Sequence, residues 1–257
     1  MTINFTEYNS KDKSMLAFGT GNDNMFSNGE FLVAQEFIRR GDIVFDIGAN
    51  HGNWLKMVLS IKPLNNVYAF EPIKELCQHI SIHHHFRENI KIVNGVVSDQ
   101  VGETDFYIYR NSPQMAEMSN MFGRPEVEQK NNINVLTEKT RMITIDHLFE
   151  IEKLEKVDFI KIDTEGAEEL VLNGATKTLG RGLVDHIQFE YGGCFIDSGA
   201  SLKRIFELLA KHNFTTFRIL HNGLMHFPKW NDELENYLHS NYFAIRSCSL
   251  KPTIFDS

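Results

Sequence analysis

The run Ile43-Val44-Phe45-Asp46-Ile47-Gly48-Ala49-Asn50-His51-Gly52-Asn53 limits the fold more than any other stretch of the chain. An apolar β-type segment closes on an acid, and the residues after it permit a tight turn and a close approach of ligand to backbone. A second apolar strand, Val67-Tyr68-Ala69-Phe70, ends in Glu71, where a carboxylate can accept hydrogen bonds from both hydroxyls of a ribose. Together these point to an adenosine-containing cofactor. The turn departs from the dinucleotide fingerprint, because Gly48-Ala49-Asn50-His51-Gly52 lacks the second and third glycines of G-x-G-x-x-G. Asp46 stands where a pyrophosphate is repelled and an ammonium is welcome. S-adenosyl-L-methionine is therefore expected ahead of NAD, with Asp46, Gly48, Asn50 and Gly52 cradling its methionine part and Glu71 its ribose. The plainer alternatives are an ordinary glycine turn and a carboxylate that caps the following helix.

Composition bounds the rest. A chain of 257 residues with 42% hydrophobic content can build one sizeable core, so a single domain over residues 1–257 is expected. The net charge of −8 and the pI near 5.8 argue against a partner held by phosphate contacts, so no nucleic-acid partner is expected. Cys77, Cys194 and Cys248 are scattered and lack C-x-x-C spacing, which suits a reducing, cytoplasmic compartment rather than a disulfide framework or a cysteine zinc site. Met1 to Asn9 carries no basic apolar leader, and no apolar run approaches the roughly 20 residues of a membrane helix, so a soluble protein without a membrane partner is expected.

Along the chain, residues 1–28 read as an irregular arm or cap, since Thr2 to Asn28 mixes Asn, Ser, Lys, Asp and Gly. Helical spacing follows from Glu30 to Arg40, again through Trp54, Leu55, Val58 and Leu59, and from Ile73 to Phe86. Ile90 to Val97 is a third apolar strand, and Glu103 to Tyr109 alternates as an antiparallel or edge strand does. Residues 111–140 show no sustained period and read as a long loop, a lid or a mobile insertion. Within it Met115 to Gly123 is the best candidate for an acceptor lid, its methionines and Phe122 packing over a ligand or filling a core gap. Arg141 to Ile145 suits a short strand, and Val157 to Ile162 is a strong one that ends in Asp163. Glu165 to Leu179 is helical by period, His186 to Tyr191 a strand, Leu202 to His212 a helix and Phe214 to Leu220 a strand. The turn holding His221 and His226 reads as a hairpin, with a base or an acceptor-site wall as the alternative, and Tyr242 to Arg246 as a last antiparallel strand at one edge.

The blocks Val44-Phe45-Asp46-Ile47-Gly48-Ala49-Asn50-His51-Gly52, Ala69-Phe70-Glu71-Pro72, Ile143-Thr144-Ile145-Asp146 and Phe159-Ile160-Lys161-Ile162-Asp163-Thr164-Glu165-Gly166-Ala167-Glu168 occur in one order. That order resembles the FkbM-type S-adenosylmethionine-dependent methyltransferases, over roughly Glu30 to Tyr191. The resemblance implies an α/β, Rossmann-like class I methyltransferase fold, a seven-stranded, mostly parallel sheet with helices on both faces. It also implies methyl transfer to a hydroxyl of a sugar, such as a deoxysugar, nucleotide-sugar or glycan, or of a similar natural product, leaving S-adenosyl-L-homocysteine. The partner is then a small-molecule or glycan acceptor, and a homo-oligomer is compatible with the sequence. In that fold Ser98 and Asp99, after the third strand, face adenine or merely form a turn.

Methyl transfer is an in-line displacement, and an alcohol acceptor gains from a nearby base. Asp163 is the first candidate for that base, for orienting the acceptor or for touching the cofactor; Glu190 is the second, and Glu165 opens the helix beside them. Capping of that helix is the alternative role for Asp163 and Glu165. Asp163 and Glu190 could instead share a divalent ion. No third ligand follows Glu190, so a metal-free site is the working expectation. His83-His84-His85 faces three ways on a helix and does not converge. His51 reads as a cofactor contact or a plain turn residue. NAD-linked oxidation and a non-catalytic cofactor-binding module remain the rivals, and an amino-methyltransferase is disfavoured because no Asn-Pro-Pro-Tyr or Asp-Pro-Pro-Tyr follows the fourth strand.

Overall fold

A computed structural model describes residues 3–64, 66–85, 87–110 and 117–249. The strong apolar segments become parallel strands: β2 is Ile43–Ile47, β3 Asn66–Glu71, β4 Ile90–Asn94, β8 Val157–Ile162 and β9 Val184–Tyr191. They lie in the order β4-β3-β2-β8-β9, so neighbours in space on the two sides of β2 come from distant parts of the chain. That reversal leaves a crevice beyond the carboxyl ends of β2 and β8, where open α/β sheets place their ligands.

Alternation along each strand feeds two cores. Val44, Val67 and Phe159 point to the face covered by α1 (Glu30–Phe37) and α2 (Asn53–Ile61), joining Val33, Trp54 and Leu55. Phe45, Tyr68 and Ile160 point to the other face, with Leu148, Phe149 and Val171. Each such side chain, taken fully out of water, stabilises by about 1.5–3 kcal/mol. The helix α3 (Lys74–His84) follows β3 and packs beside β4.

The sheet is wider than the sequence suggests. Beyond β9 come β12 (Ser240–Arg246) and β10 (Phe214–Leu220), both pairs antiparallel, then β11 (Gly223–His226) and finally β1 (Asn4–Glu7). The expected seven strands are there, with β11 and β1 added to make nine. β12 is therefore not at an edge. The start of the chain is not a purely irregular arm either, because β1 pairs in parallel with β11 and covers what would be an open edge. Phe5 meets Phe217 at 5.9 Å, and Gly223 permits the approach, since a Cβ there would stand 2.2 Å from the Asn4 carbonyl oxygen.

A second sheet has the order β5-β7-β6, made of Val96–Val97, Val135–Ile143 and Gly102–Tyr109. Gly95, at φ +154°, divides the expected strand Ile90 to Val97 into two that enter different sheets. Residues 111–140 are not a structureless loop: the helix Pro125–Asn131 and most of β7 lie there, while residues 111–116 fall outside the described residues. The short strand expected at Arg141 to Ile145 is the end of β7. The helix expected over Glu165 to Leu179 is two short ones, Glu168–Asn173 and Thr176–Gly180. Its start is delayed because Glu165 and Gly166 take φ of +56° and +109°. It breaks at Gly174, where a Cβ would stand 2.0 Å from the Ser98 carbonyl oxygen.

Arg218 is fully buried and ties the amino-terminal segment to this sheet. Its guanidinium donates to the Leu16 carbonyl at 2.6 Å and to the Tyr242 hydroxyl at 2.8 Å. Arg218→Ala removes the donor to the buried Tyr242 hydroxyl and the half-buried Leu16 carbonyl and leaves a cavity, and is expected to lower the unfolding free energy by about 3 kcal/mol in a urea titration.

Candidate active site

A cavity of about 470 Å³ opens at the carboxyl ends of β2, β3, β8 and β9, within the usual range for a small-molecule site. Its floor is the glycine turn. Gly48 sits at φ +81°, and a Cβ there would fall 1.7 Å from the Asp163 carbonyl oxygen, so no other residue lets the turn lie against the end of β8. The Gly48 and Ala49 amides donate to the Phe70 carbonyl at 3.0 and 2.9 Å, and the Asp163 amide donates to the Ile47 carbonyl at 2.9 Å. These bonds hold three strand ends at one height.

Glu71 reads the turn directly. Its Oε2 accepts from the Asn50 amide and its Oε1 from the Ile73 amide, both at 2.8 Å, and each oxygen keeps capacity for a further donor. Burial pushes its carboxyl up to about 7, against the pull of those two amides. Asn50 Oδ1 and Trp54 Nε1 are buried without hydrogen-bond partners, and both residues line the cavity. Ile73, Leu76, Val96 and Phe106 supply an apolar wall beside Glu71.

The opposite end is a network of charges. Lys161 is buried in β8, pairs across the sheet with Asp46 and donates to Asp163 Oδ2 at 2.9 Å. Burial lowers its pKa, yet Asp163, Asp46 and Glu30 outweigh that and hold it above the usual lysine value. Asp46 lies 3.9 Å from the Lys161 ammonium, its oxygens buried without a hydrogen bond, and burial pushes its carboxyl up to about 6. Glu190 meets His239 at 3.1 Å, and that contact raises the imidazole above its ordinary value. Glu165 meets Arg124 at 2.6 Å, and Arg124 also faces Asp197. Oxygens of Asp163, Glu165 and Glu190 lie within 4.8 Å of one another, close enough for one cation. Each of the three already faces a basic side chain.

A family model for the methyltransferase FkbM domain matches residues 46–216, more than half of the chain. The chain belongs to the FkbM methyltransferase family. Among solved structures, the FkbM methyltransferase of Methylobacillus flagellatus KT aligns with a TM-score of 0.50 at 14% identity, over 90% of this chain and 57% of that one. This chain thus spans little more than half the length of that relative. A precorrin-6y C5,15-methyltransferase of Geobacter metallireducens GS-15 aligns at 0.45 and 11% identity, over 89% of this chain and 93% of that one. A comparison with curated proteins finds no match. The family match, the FkbM structure and the strand order β4-β3-β2-β8-β9 together give the fold as that of the Rossmann-like class I methyltransferases. No helix among the described residues is long and apolar enough to cross a membrane.

In this FkbM-family chain the cavity gathers Gly48, Asn50, Glu71, Asp163, Glu165 and Glu190 from the expected set. Asp46 and Gly52 are not among the residues that line it. Asp46 faces Lys161 inside the sheet, and Gly52 faces Ile80 of α3. Ser98 and Asp99 do not line it either; the wall there is Gly95 to Val97, because the chain turns into β5 one step earlier and buries Ser98 beneath Gly174. Glu165 does not open a helix, and the loop it occupies is held by Glu168, whose carboxylate accepts from the Thr164 and Gly166 amides at 2.7 and 3.0 Å. Of the expected lid, Glu117, Met118, Ser119 and Met121 line the cavity, and Asn120 pairs with Tyr107 of β6; Met115 and Ala116 lie outside the described residues. Sequence reasoning missed Lys161, Arg124 and His239. A lysine flanked by Phe159, Ile160 and Ile162 in a buried strand is a usable signal for the first, whereas the other two carry none. Gly48→Ala is expected to cost about 2 kcal/mol or more, read as an earlier urea midpoint, because both its φ and the Asp163 backbone oppose a Cβ.

Proposed function

We propose that this cavity binds S-adenosyl-L-methionine and that the protein methylates a hydroxyl of a sugar or a similar small natural product. The observation that carries the reading is the cradle itself. Glu71 offers two oxygens to a diol beside the apolar wall of Ile73, Leu76, Val96 and Phe106, while the orphaned Asn50 Oδ1 and Trp54 Nε1 offer polar partners beside the turn. Acids outnumber bases around the cavity, which favours a positively charged sulfonium. When bound, the cofactor supplies a methyl group already activated for attack by an oxygen nucleophile.

The remaining work falls to side chains. Lys161 holds Oδ2 of Asp163, leaving the carboxylate to orient an acceptor hydroxyl and take its proton. The pairs Glu190 with His239 and Glu165 with Arg124 present donors and acceptors together, which suits a polyol better than a phosphate. Met118 and Met121 lie where they can screen the reacting groups from water.

Three outcomes are expected. S-adenosyl-L-homocysteine raises the melting temperature and NAD does not; the reverse result overturns the cofactor assignment. A ribose diol favours ionised Glu71, so affinity for S-adenosyl-L-homocysteine is full above pH about 7 and falls as pH drops below it, by up to about tenfold per unit. Calorimetric titrations from pH 5.5 to 8 should show this, with a flatter profile in Glu71→Gln. Asp163→Ala keeps cofactor affinity within a few fold yet lowers turnover by about a hundredfold or more on any nucleotide-sugar that mass spectrometry shows to be methylated. Unchanged turnover removes Asp163 as the base.

A further inference from the structure

The nine-residue helix α2 starts without a cap of its own. Its N-cap is Gly52, which has no side chain to accept from the first amides, and its first turn carries no acid. Within the helix the first amide to find a carbonyl is that of Lys56, which donates to Gly52 at 2.9 Å. The amides of Asn53, Trp54 and Leu55 therefore keep the open donors and the partial positive charge of a helix N-terminus.

A second donor stands at the same end of the helix. Trp54 is only 3% exposed, and its Nε1 has no hydrogen-bond partner among the described residues, although a buried indole N–H ordinarily finds one. Packing holds the ring in place: it stacks on Phe159, with centroids 5.8 Å apart and planes at 30°, in the core that also contains Val33 and Leu55. Asn50, Asn53 and Trp54 all line the cavity, so the helix end and the indole border one space.

Two neutral donors side by side suit a carboxylate, which has an oxygen for each. A phosphate dianion is opposed by Asp23, Asp163, Glu165 and Glu190, which line the same cavity. Lys161 is already engaged by Asp163 Oδ2, which leaves the helix end as the place for a ligand's single negative charge.

We propose that the N-terminus of α2 and Trp54 Nε1 form a carboxylate subsite that takes the amino-acid end of the cofactor, with Asn50 Oδ1, itself without a partner, accepting from the neighbouring ammonium. The assignment rests on the cofactor reading above and gives Trp54 a binding role separate from its packing on Phe159. It makes the carboxylate a group the protein reads, in addition to the ribose.

Calorimetric titration of the full chain at about pH 8, where Glu71 is ionised, compares S-adenosyl-L-homocysteine with S-adenosyl-3-thiopropylamine, which keeps the ammonium and lacks the carboxylate. The unaltered protein should bind S-adenosyl-L-homocysteine about tenfold or more tightly than the amine. Trp54→Phe keeps a ring on Phe159 and removes the N–H; it should weaken S-adenosyl-L-homocysteine by about tenfold and leave the amine within about twofold. Equal loss for both ligands makes Trp54 a packing residue only and overturns the subsite, as does unchanged affinity for S-adenosyl-L-homocysteine. The comparison on the unaltered protein stands whether or not the variant folds: binding of both ligands without preference overturns the subsite alone. Binding of neither overturns the cofactor reading, and the subsite with it.

Discussion

A buried ammonium organises this protein. Lys161 is set in a strand whose other residues are almost all apolar, and an unpaired charge there costs several kcal/mol. The surroundings answer it. Asp46 faces it from β2, Asp163 follows in its own strand, and Glu30 stands near it at the start of α1. Glu30 in turn accepts hydrogen bonds from the side chains of Asn28, Gln188 in β9 and Asn241 in β12. One charge therefore links the segment before α1, three central strands and the late antiparallel strand.

The same network fixes the acid at the end of β8. Asp163 is held twice, by the Lys161 ammonium on its side chain and by Gly48 against its backbone, so the acid at the end of β8 and the glycine turn cannot move independently. Around it the acids that repel one another are each met by a base, Arg124 and His239, which come from the helix-bearing insertion and from the approach to β12. Burial explains the raised carboxyls of Glu71, Asp46 and Glu168, and the amides that staple Glu71 and Glu168 to neighbouring loops limit how far they rise.

Legibility followed burial and length. The strands β2 and β3 could be read because each is a nearly continuous apolar run, as strands covered on both faces must be, whereas β8 and β9 are interrupted by Lys161, Gln188 and Glu190 but keep Phe159, Ile160, Ile162, Ile187 and Phe189. The glycine turn and the place of Glu71 at the end of β3 could be read because each rests on residues adjacent in the chain. Strand β1 could not: Asn4–Glu7 is short, mostly exposed and polar, and becomes a strand because β11 offers it an edge. The period of Glu165 to Leu179 was genuine, yet positive φ at Glu165 and the close pass of Ser98 over Gly174 divide it. Ser98 and Asp99 stay off the cavity lining for a related reason, since Gly95 turns the chain away one step early and the cavity meets Gly95 to Val97 instead.

By itself the sequence determined the family, the parallel core, the cofactor-type turn and the acids at its strand ends, because each rests on residues adjacent in the chain. Tertiary structure alone decided which acids reach the cavity, that Asp46 serves Lys161 inside the sheet, and that Arg124 and His239 join Glu165 and Glu190. Those pairings unite residues far apart in sequence through strand order and loop packing, and no local pattern encodes a distance across a sheet.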